Sequence, residues 1–371
     1  MLLGRPMRRW RPATLPALLL VAACGGVRLE DRTTAPVLPA AALEVVADVD
    51  YPPGNIAVSR TGRVFFSFHP GGDPPIAVAE LVGGKPVPYP DQASQGRYQS
   101  VLALRIDGQG RLWALDYAHY GWGQPRLLAF DLDSGALVHE YDFPSEVAGL
   151  LSMVNDFQVD PAGEKIYIAE SNPIRQKPAL IVYDIASQTS RRLLERHASV
   201  RAKDYILETP DRRMLVFGLF PLRIGVDSIA LDKRGEWLYY GPVSGDRLHR
   251  IATRDLNDTA LGDDALGARV EDFGPKPLSD GLSMDVEDNV YLTDPEHGAI
   301  LALGPDRSLR TLVKDPRLRW PDGLSFGPDG WLYVTCSALQ HVLFVRTAHM
   351  RAHAPYQIFR FKPGPAGVPG Q

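Results

Sequence analysis

Six times along the chain a short apolar stretch is followed by a turn and then by alternating aromatic and aliphatic residues. The stretches are Gly54-Asn55-Ile56-Ala57-Val58, Leu102-Ala103-Leu104-Arg105-Ile106, Asn155-Asp156-Phe157-Gln158-Val159, Asp227-Ser228-Ile229-Ala230-Leu231, Asp280-Gly281-Leu282-Ser283-Met284 and Asp322-Gly323-Leu324-Ser325-Phe326. Their partners run through Val64-Phe65-Phe66, Leu112-Trp113, Ile166-Tyr167, Trp237-Leu238-Tyr239, Val290-Tyr291 and Trp331-Leu332-Tyr333, with Gly or Asn before each to supply a positive φ. Alternation with period two on both sides of a tight turn predicts antiparallel strand pairs. Further strand-like runs, such as Leu127–Phe130, Leu180–Tyr183 and Ala299–Ala302, lie between the copies. The copies recur every roughly 40–70 residues, room for the four strands of a propeller blade. The pattern predicts an all-β, six-bladed β-propeller over residues 46–371. Tyr356–Phe361 completes a blade, and the Pro/Gly-rich residues 363–371 form a tail that adds little.

The first strand of each blade lines the central channel of a propeller, so the first template positions converge on one rim. They read Gly54, Leu102, Asn155, Asp227, Asp280 and Asp322, with Asn55, Asp156 and Ser228 one place on. Strands disfavour Asp and Asn. Three carboxylates around one axis also repel each other, and must hold protons or share a cation. The alternative is that these residues only shape turns, bonding nearby backbone amides. The second strands return to the same face and add His69, Asp116, Glu170 and Asp294, with His297 just beyond. The expected ligand-binding set is therefore Asn55, His69, Asn155, Asp156, Asp227, Asp280 and Asp322. Asn155, Asp227, Asp280 and Asp322 are expected to hold a divalent cation such as Ca2+, since oxygen donors suit it. Candidates for acid–base catalysis are His297, Glu170 and Asp294. Cys336 reads as a small buried hydrophobe.

Composition narrows the partners. The 371 residues carry 40 Lys and Arg against 44 Asp and Glu, net −4, and the basic residues are dispersed. That is no nucleic-acid footprint. Arg5, Arg8, Arg9 and Arg11 precede the apolar run Leu15–Ala23, which is shorter than the roughly 20 residues a spanning helix needs. Basic, then apolar, then small residues read as a secretory leader over 1–23. Val21-Ala22-Ala23-Cys24-Gly25 resembles the lipobox of bacterial lipoproteins, which implies acylation of Cys24 and a bilayer as partner. Gly25 does not resemble the inner-membrane retention signal, so the outer membrane facing the periplasm is expected, or secretion. Residues 24–45, with Pro36 and Pro39, read as a flexible tether. With Cys24 acylated only Cys336 remains, so no intramolecular disulfide can form. The chain is expected to act as a monomer on a small-molecule ligand.

Several motifs together resemble the major royal jelly protein/yellow family, from about Pro53 to Gln340. They are Asn155-Asp156-Phe157-Gln158-Val159-Asp160, Trp237-Leu238-Tyr239-Tyr240-Gly241-Pro242, Ser279-Asp280-Gly281-Leu282 with Tyr291-Leu292-Thr293-Asp294, and Trp320-Pro321-Asp322-Gly323. The resemblance implies a six-bladed propeller. It also implies either dopachrome-tautomerase-like action on a small cyclic or aromatic compound or capture of an amine in the central pocket. A more distant resemblance is to the gluconolactonase/senescence-marker group, whose blade starts are similar to Asp280-Gly281-Leu282 and Asp322-Gly323-Leu324. That likeness implies a divalent cation at the axis and Ca-dependent lactone hydrolysis. The group's first-blade glutamate is replaced here by Gly54-Asn55. A protein-interaction scaffold, common among propellers, does not explain an acidic axis.

Overall fold

A computed structural model describes residues 26–371. The leader and Cys24 lie outside the described residues.

Six four-stranded antiparallel sheets stand around one axis. Their innermost strands are Pro53–Val58, Val101–Ile106, Val154–Val159, Val226–Leu231, Leu282–Met284 and Pro321–Phe326, for blades 1 to 6. Each inner strand touches the next, and the sixth touches the first. The expected propeller is what forms. In blades 2 to 5 the turn after the inner strand is built by an aspartate that accepts main-chain N–H groups. Asp107 accepts from Gln109 and Arg111, and Asp285 from Glu287 and Asn289. Gly62, Gly110, Gly163, Gly235 and Gly330 supply the left-handed residue, but in blade 5 Asp288 (φ 66°) does so in place of Asn289.

Buried side chains fill the seams between blades, as where Trp113 of blade 2 packs with Phe157 and Ile181 of blade 3. In blade 6 the strands run Pro321–Phe326, Leu332–Cys336, Tyr356–Phe361 and, outermost, Glu44–Val49 from the start of the described chain. Tyr356, Ile358, Phe359 and Phe361 are all fully buried. At about 1.5–3 kcal/mol each, against a typical total stability of about 5–15 kcal/mol, they make this closing strand indispensable. Cys336 is buried in the same blade.

Both ends depart from expectation. The stretch read as a tether lies along the ring. Val27 bridges to Tyr205, Arg32 donates to the carbonyls of Asp246 and Lys276, and Val37 and Leu38 bond Thr311 and Leu312. Its backbone groups find partners on the connection between blades 3 and 4 and on blade 5, and the Arg32 side chain finds them on blade 4, which composition alone does not reveal. The Pro/Gly tail crosses the end of the channel away from the aspartates. Ile106 N–H donates to the Gly370 carbonyl and Phe326 N–H to that of Gln371, while Gly370 N–H donates to Phe326. The inner strands expose these groups there, and the tail satisfies them. Among the described residues no helix is long and apolar enough to cross a membrane.

Candidate functional site

The channel end opposite the tail opens into a cavity of about 130 Å³. A bulge shapes its floor. In blades 1, 2, 3, 4 and 6 the inner strand loses register with its neighbour where Gly54-Asn55, Leu102, Asn155-Asp156, Asp227 and Asp322-Gly323 stand. A bulge leaves a residue unpaired and re-aims its side chain, so the polar positions that looked out of place in a strand point to the axis. Hydroxyls on the second strand hold the freed amides. Ser67 accepts from Asn55 N–H, Thr293 from Asp280 and Gly281 N–H, and Thr335 from Gly323 N–H. All three hydroxyl side chains are fully buried. They occupy one register in Phe66-Ser67-Phe68, Leu292-Thr293-Asp294 and Val334-Thr335-Cys336, a second repeat in step with the first.

Glycine follows Asp280 and Asp322 for a steric reason. A Cβ on Gly281 would lie 1.8 Å from the Asp322 carbonyl oxygen, and one on Gly323 would lie 2.8 Å from the Asn55 Cα. Only bare backbone lets adjacent inner strands meet this closely at the axis.

All seven residues expected to bind ligand, Asn55, His69, Asn155, Asp156, Asp227, Asp280 and Asp322, line this cavity. Asp156 is paired with Arg105 at 2.8 Å, a buried arginine that also donates to Asn55 Oδ1. Asp280 accepts from the Trp320 indole at 2.5 Å, Asp227 from the Asn155 amide and Asp322 from Ser337. Among the described residues no cation pairs with Asp227, Asp280 or Asp322. Burial lifts the pKa of Asp227 well above the carboxylate range, and repulsion from Asp280, Asp322 and Asp156 adds to it. Burial and Asp280 do the same to Asp322. Asp280 rises to about 6, mainly through burial, with the Trp320 bond opposing. Burial raises Asp156 too, with Arg105 opposing. Burial and mutual repulsion thus push the carboxyl groups of the floor toward their protonated forms.

Burial pushes His69 down to about 4, so its ring is neutral. Its Nδ1 accepts from Gly71 N–H at 3.1 Å, which assigns the ring hydrogen to Nε2. The walls are apolar: Leu102, Tyr117, Tyr120, Met153, Leu222, Ile224, Leu339 and Phe344 among others. Leu222 and Ile224 come from the long connection between blades 3 and 4, and Leu339 and Phe344 from an excursion inside blade 6. Arg212 ties these two covers together, donating to the carbonyls of Gln340 and Leu343 at 3.0 and 2.8 Å.

The candidates for acid–base catalysis stand outside the cavity. Glu170 is buried against Arg192 at 2.8 Å and accepts from Ser152, Met153 N–H and Asn172. Asp294 accepts from the N–H groups of Glu296 and His297 and from the His297 ring, which also faces Asp31. Asp116, in the same register, accepts from Gln99, Ser100 and Ala118 N–H. The second strand lies one strand spacing off the axis, and its terminal acids hold their own blade's loops.

The four residues read as metal ligands share the floor, yet the three aspartates are not among the groups whose donor atoms all fall within 4.8 Å of one another. Two of the three are occupied by an amide and an indole donor, and as they stand they do not form a compact cation cage.

Comparison with known proteins places this geometry. The family described as Major royal jelly protein matches residues 99–350. Among curated relatives, Major royal jelly protein 7 of Apis mellifera is 27% identical over 194 residues, 47% of this chain and 41% of that protein. Major royal jelly protein 6 of the same bee is 28% identical over 183 residues, 44% and 39% respectively. The chain thus spans about two fifths of these relatives. Among solved structures, a calcium-binding regucalcin from Agrobacterium tumefaciens superposes with a TM-score of 0.58 at 17% identity, covering 91% of this chain and 100% of that one. A luciferin-regenerating enzyme gives 0.58 at 14%, covering 88% and 97%. A gluconolactonase from Xanthomonas campestris gives 0.56 at 13%, covering 86% and 89%. Likeness at this level is likeness of fold.

Proposed function

The chain belongs to the major royal jelly protein family, and from that premise we propose that it captures a small organic cation, an amine with an apolar or aromatic body, in its axial cavity. One observation carries the reading. Asp227, Asp280 and Asp322 meet on the floor with no ion-pair partner among the described residues, buried Lys276 acting on Asp280 only from beyond ion-pair distance, beneath walls of leucine, tyrosine and phenylalanine. An ammonium group relieves their repulsion and lets them ionise, while the body of the amine covers Tyr117, Tyr120 and Phe344. Neutral His69 offers its Nε2–H to a hydroxyl or carbonyl of the ligand. The same repulsion favours a second reading, in which a divalent ion displaces the Asn155 and Trp320 donors and draws the carboxylates inward.

Thermal denaturation at pH 7.5 separates the two. Phenethylamine should stabilise the protein by RT ln(1 + [L]/Kd), about 2.7 kcal/mol at a hundredfold excess over Kd, and 2-phenylethanol and Ca2+ should not. Stabilisation by Ca2+ alone supports the second reading, and indifference to both removes the pocket's assigned role.

The leader and Cys24 extend the proposal to place. Acylated Cys24, three residues before Val27 in sequence, anchors the propeller at the cell envelope. Cys24→Ala should move the folded protein from the membrane to the soluble fraction; an unchanged distribution contradicts the anchor.

A further inference from the structure

Three histidines meet beside the axial cavity, in the cover contributed by blade 6. His341 ends the turn Leu339–His341, and His349 and His353 stand four residues apart on the helix Thr347–Ala352 and its C-cap. That spacing puts two side chains on one helix face. The His341 ring stacks on His353 with centroids 3.8 Å apart, a stack from which His353 must turn for both in-plane lone pairs to meet one ion, and the His349 centroid lies 4.3 Å from that of His353. One donor nitrogen from each falls within 4.8 Å of the other two.

Their outer partners decide which nitrogens are free. His353 Nδ1 lies 2.8 Å from the His349 carbonyl oxygen, and His341 Nε2 lies 3.2 Å from Asp211 Oδ2. Both oxygens only accept, so these nitrogens carry the ring hydrogens. His341 Nδ1 and His353 Nε2 are left with lone pairs. His341 Nδ1 lies 3.3 Å from His349 Nε2. Two nitrogens bound at about 2.0–2.1 Å to one tetrahedral ion stand about 3.3–3.4 Å apart. A ligating histidine whose second nitrogen donates to a carboxylate or carbonyl is the usual outer arrangement of such sites.

We propose that His341, His349 and His353 bind a zinc-class transition-metal ion, with Asp211 as the residue that positions His341. Imidazole nitrogen suits this class and not Ca2+. Three protein ligands leave a fourth position open to water or another small ligand. The ion joins three pieces of the cavity's cover. Asp211 adjoins Arg212, which already bonds the carbonyls of Gln340 and Leu343, and Leu339, Leu343 and Phe344 line the pocket. Metal at this site therefore fixes the rim through which ligand passes.

The test is titration of the chelator-stripped full chain with Zn2+ in competition with a chromophoric chelator. We expect one Zn2+ per chain, at least tenfold weaker in His349→Ala and in His353→Ala. His349 is exposed, so its replacement should leave the metal-free melting temperature unchanged. Asp211→Asn should weaken Zn2+ by about 10- to 100-fold, again without altering metal-free stability. Asp280→Asn, in the axial cavity, should leave Zn2+ affinity as it is. Absence of competitive Zn2+ binding, or an affinity unchanged in His349→Ala, overturns the proposal. So does an affinity lost in Asp280→Asn but kept in the histidine variants, which would put the ion at the axis.

Discussion

Replacing Asp280 by Asn should stabilise the protein at neutral pH, although it removes a residue of the binding site. Burial is the largest influence on Asp280, lifting its pKa from the ordinary 3.8 to about 6, with the Trp320 bond and Lys276 opposing and Asp156 adding to the rise. The folded state therefore holds this proton more tightly than the unfolded chain. A raised carboxyl pKa gives stability that is complete below about pH 4 and is lost as pH climbs through about 6. The rise of about 2.2 in pK corresponds to about 3 kcal/mol at 1.36 kcal/mol for each pK unit. Asp280 is partly open to the channel, and solvent screening reduces the figure to about 2 kcal/mol. Asparagine does not titrate, and its Oδ1 still accepts from Trp320. Asp280→Asn should then match or fall slightly below the wild type at pH 4 and exceed it by up to about 2 kcal/mol at pH 7.5. Urea unfolding at the two pH values measures this. An Asn variant less stable at pH 7.5 by the same margin as at pH 4 would refute a proton-sharing floor and return Asp280 to the role of a turn residue.

The close approach at the axis makes Gly281→Ala severe: its Cβ would meet the Asp322 carbonyl oxygen at 1.8 Å, and a melting temperature within a degree of wild type contradicts the packing described. Arg105→Gln leaves Asp156 buried without its cation and should cost about 3–5 kcal/mol at pH 7.5, read by urea unfolding; a loss below 1 kcal/mol denies the pair its role. Removing residues 364–371 strips main-chain partners from Ile106 and Phe326 and should lower the melting temperature clearly; an unchanged value restores the expectation of a dispensable tail.

The ring was legible because its signal is local and repeated six times: period-two apolar runs and a left-handed residue recur in register, with a turn aspartate in four of the six copies. The floor was legible because Asn155, Asp227, Asp280 and Asp322 break strand preference at one template position; bulges explain Asn155, Asp227 and Asp322, and Asp280 stands just ahead of its strand. Glu170 and Asp294 carry the same chemistry one strand outward, where hydrogen bonds to their own loops absorb it, and nothing in the residue types distinguishes the two cases. The cavity walls were not legible. Leu222, Ile224, Leu339 and Phe344 come from connections whose paths depend on long-range packing, and Arg212 and Asp211 matter only once those connections meet. The tether and the tail read as loose because Pro and Gly predominate there, yet both supply backbone partners to exposed strand ends.

The account rests on the acidic floor acting as counter-charge for a ligand. A crystal structure of the protein soaked with phenethylamine at pH 7.5 tests that claim most directly. It should place the ammonium nitrogen within about 3 Å of carboxylate oxygens from at least two of Asp227, Asp280 and Asp322, with the ring against Tyr117, Tyr120 or Phe344. An amine seated with its nitrogen in solvent, or a cavity that stays free of amine while the aspartates keep their Asn155 and Trp320 bonds, would contradict it.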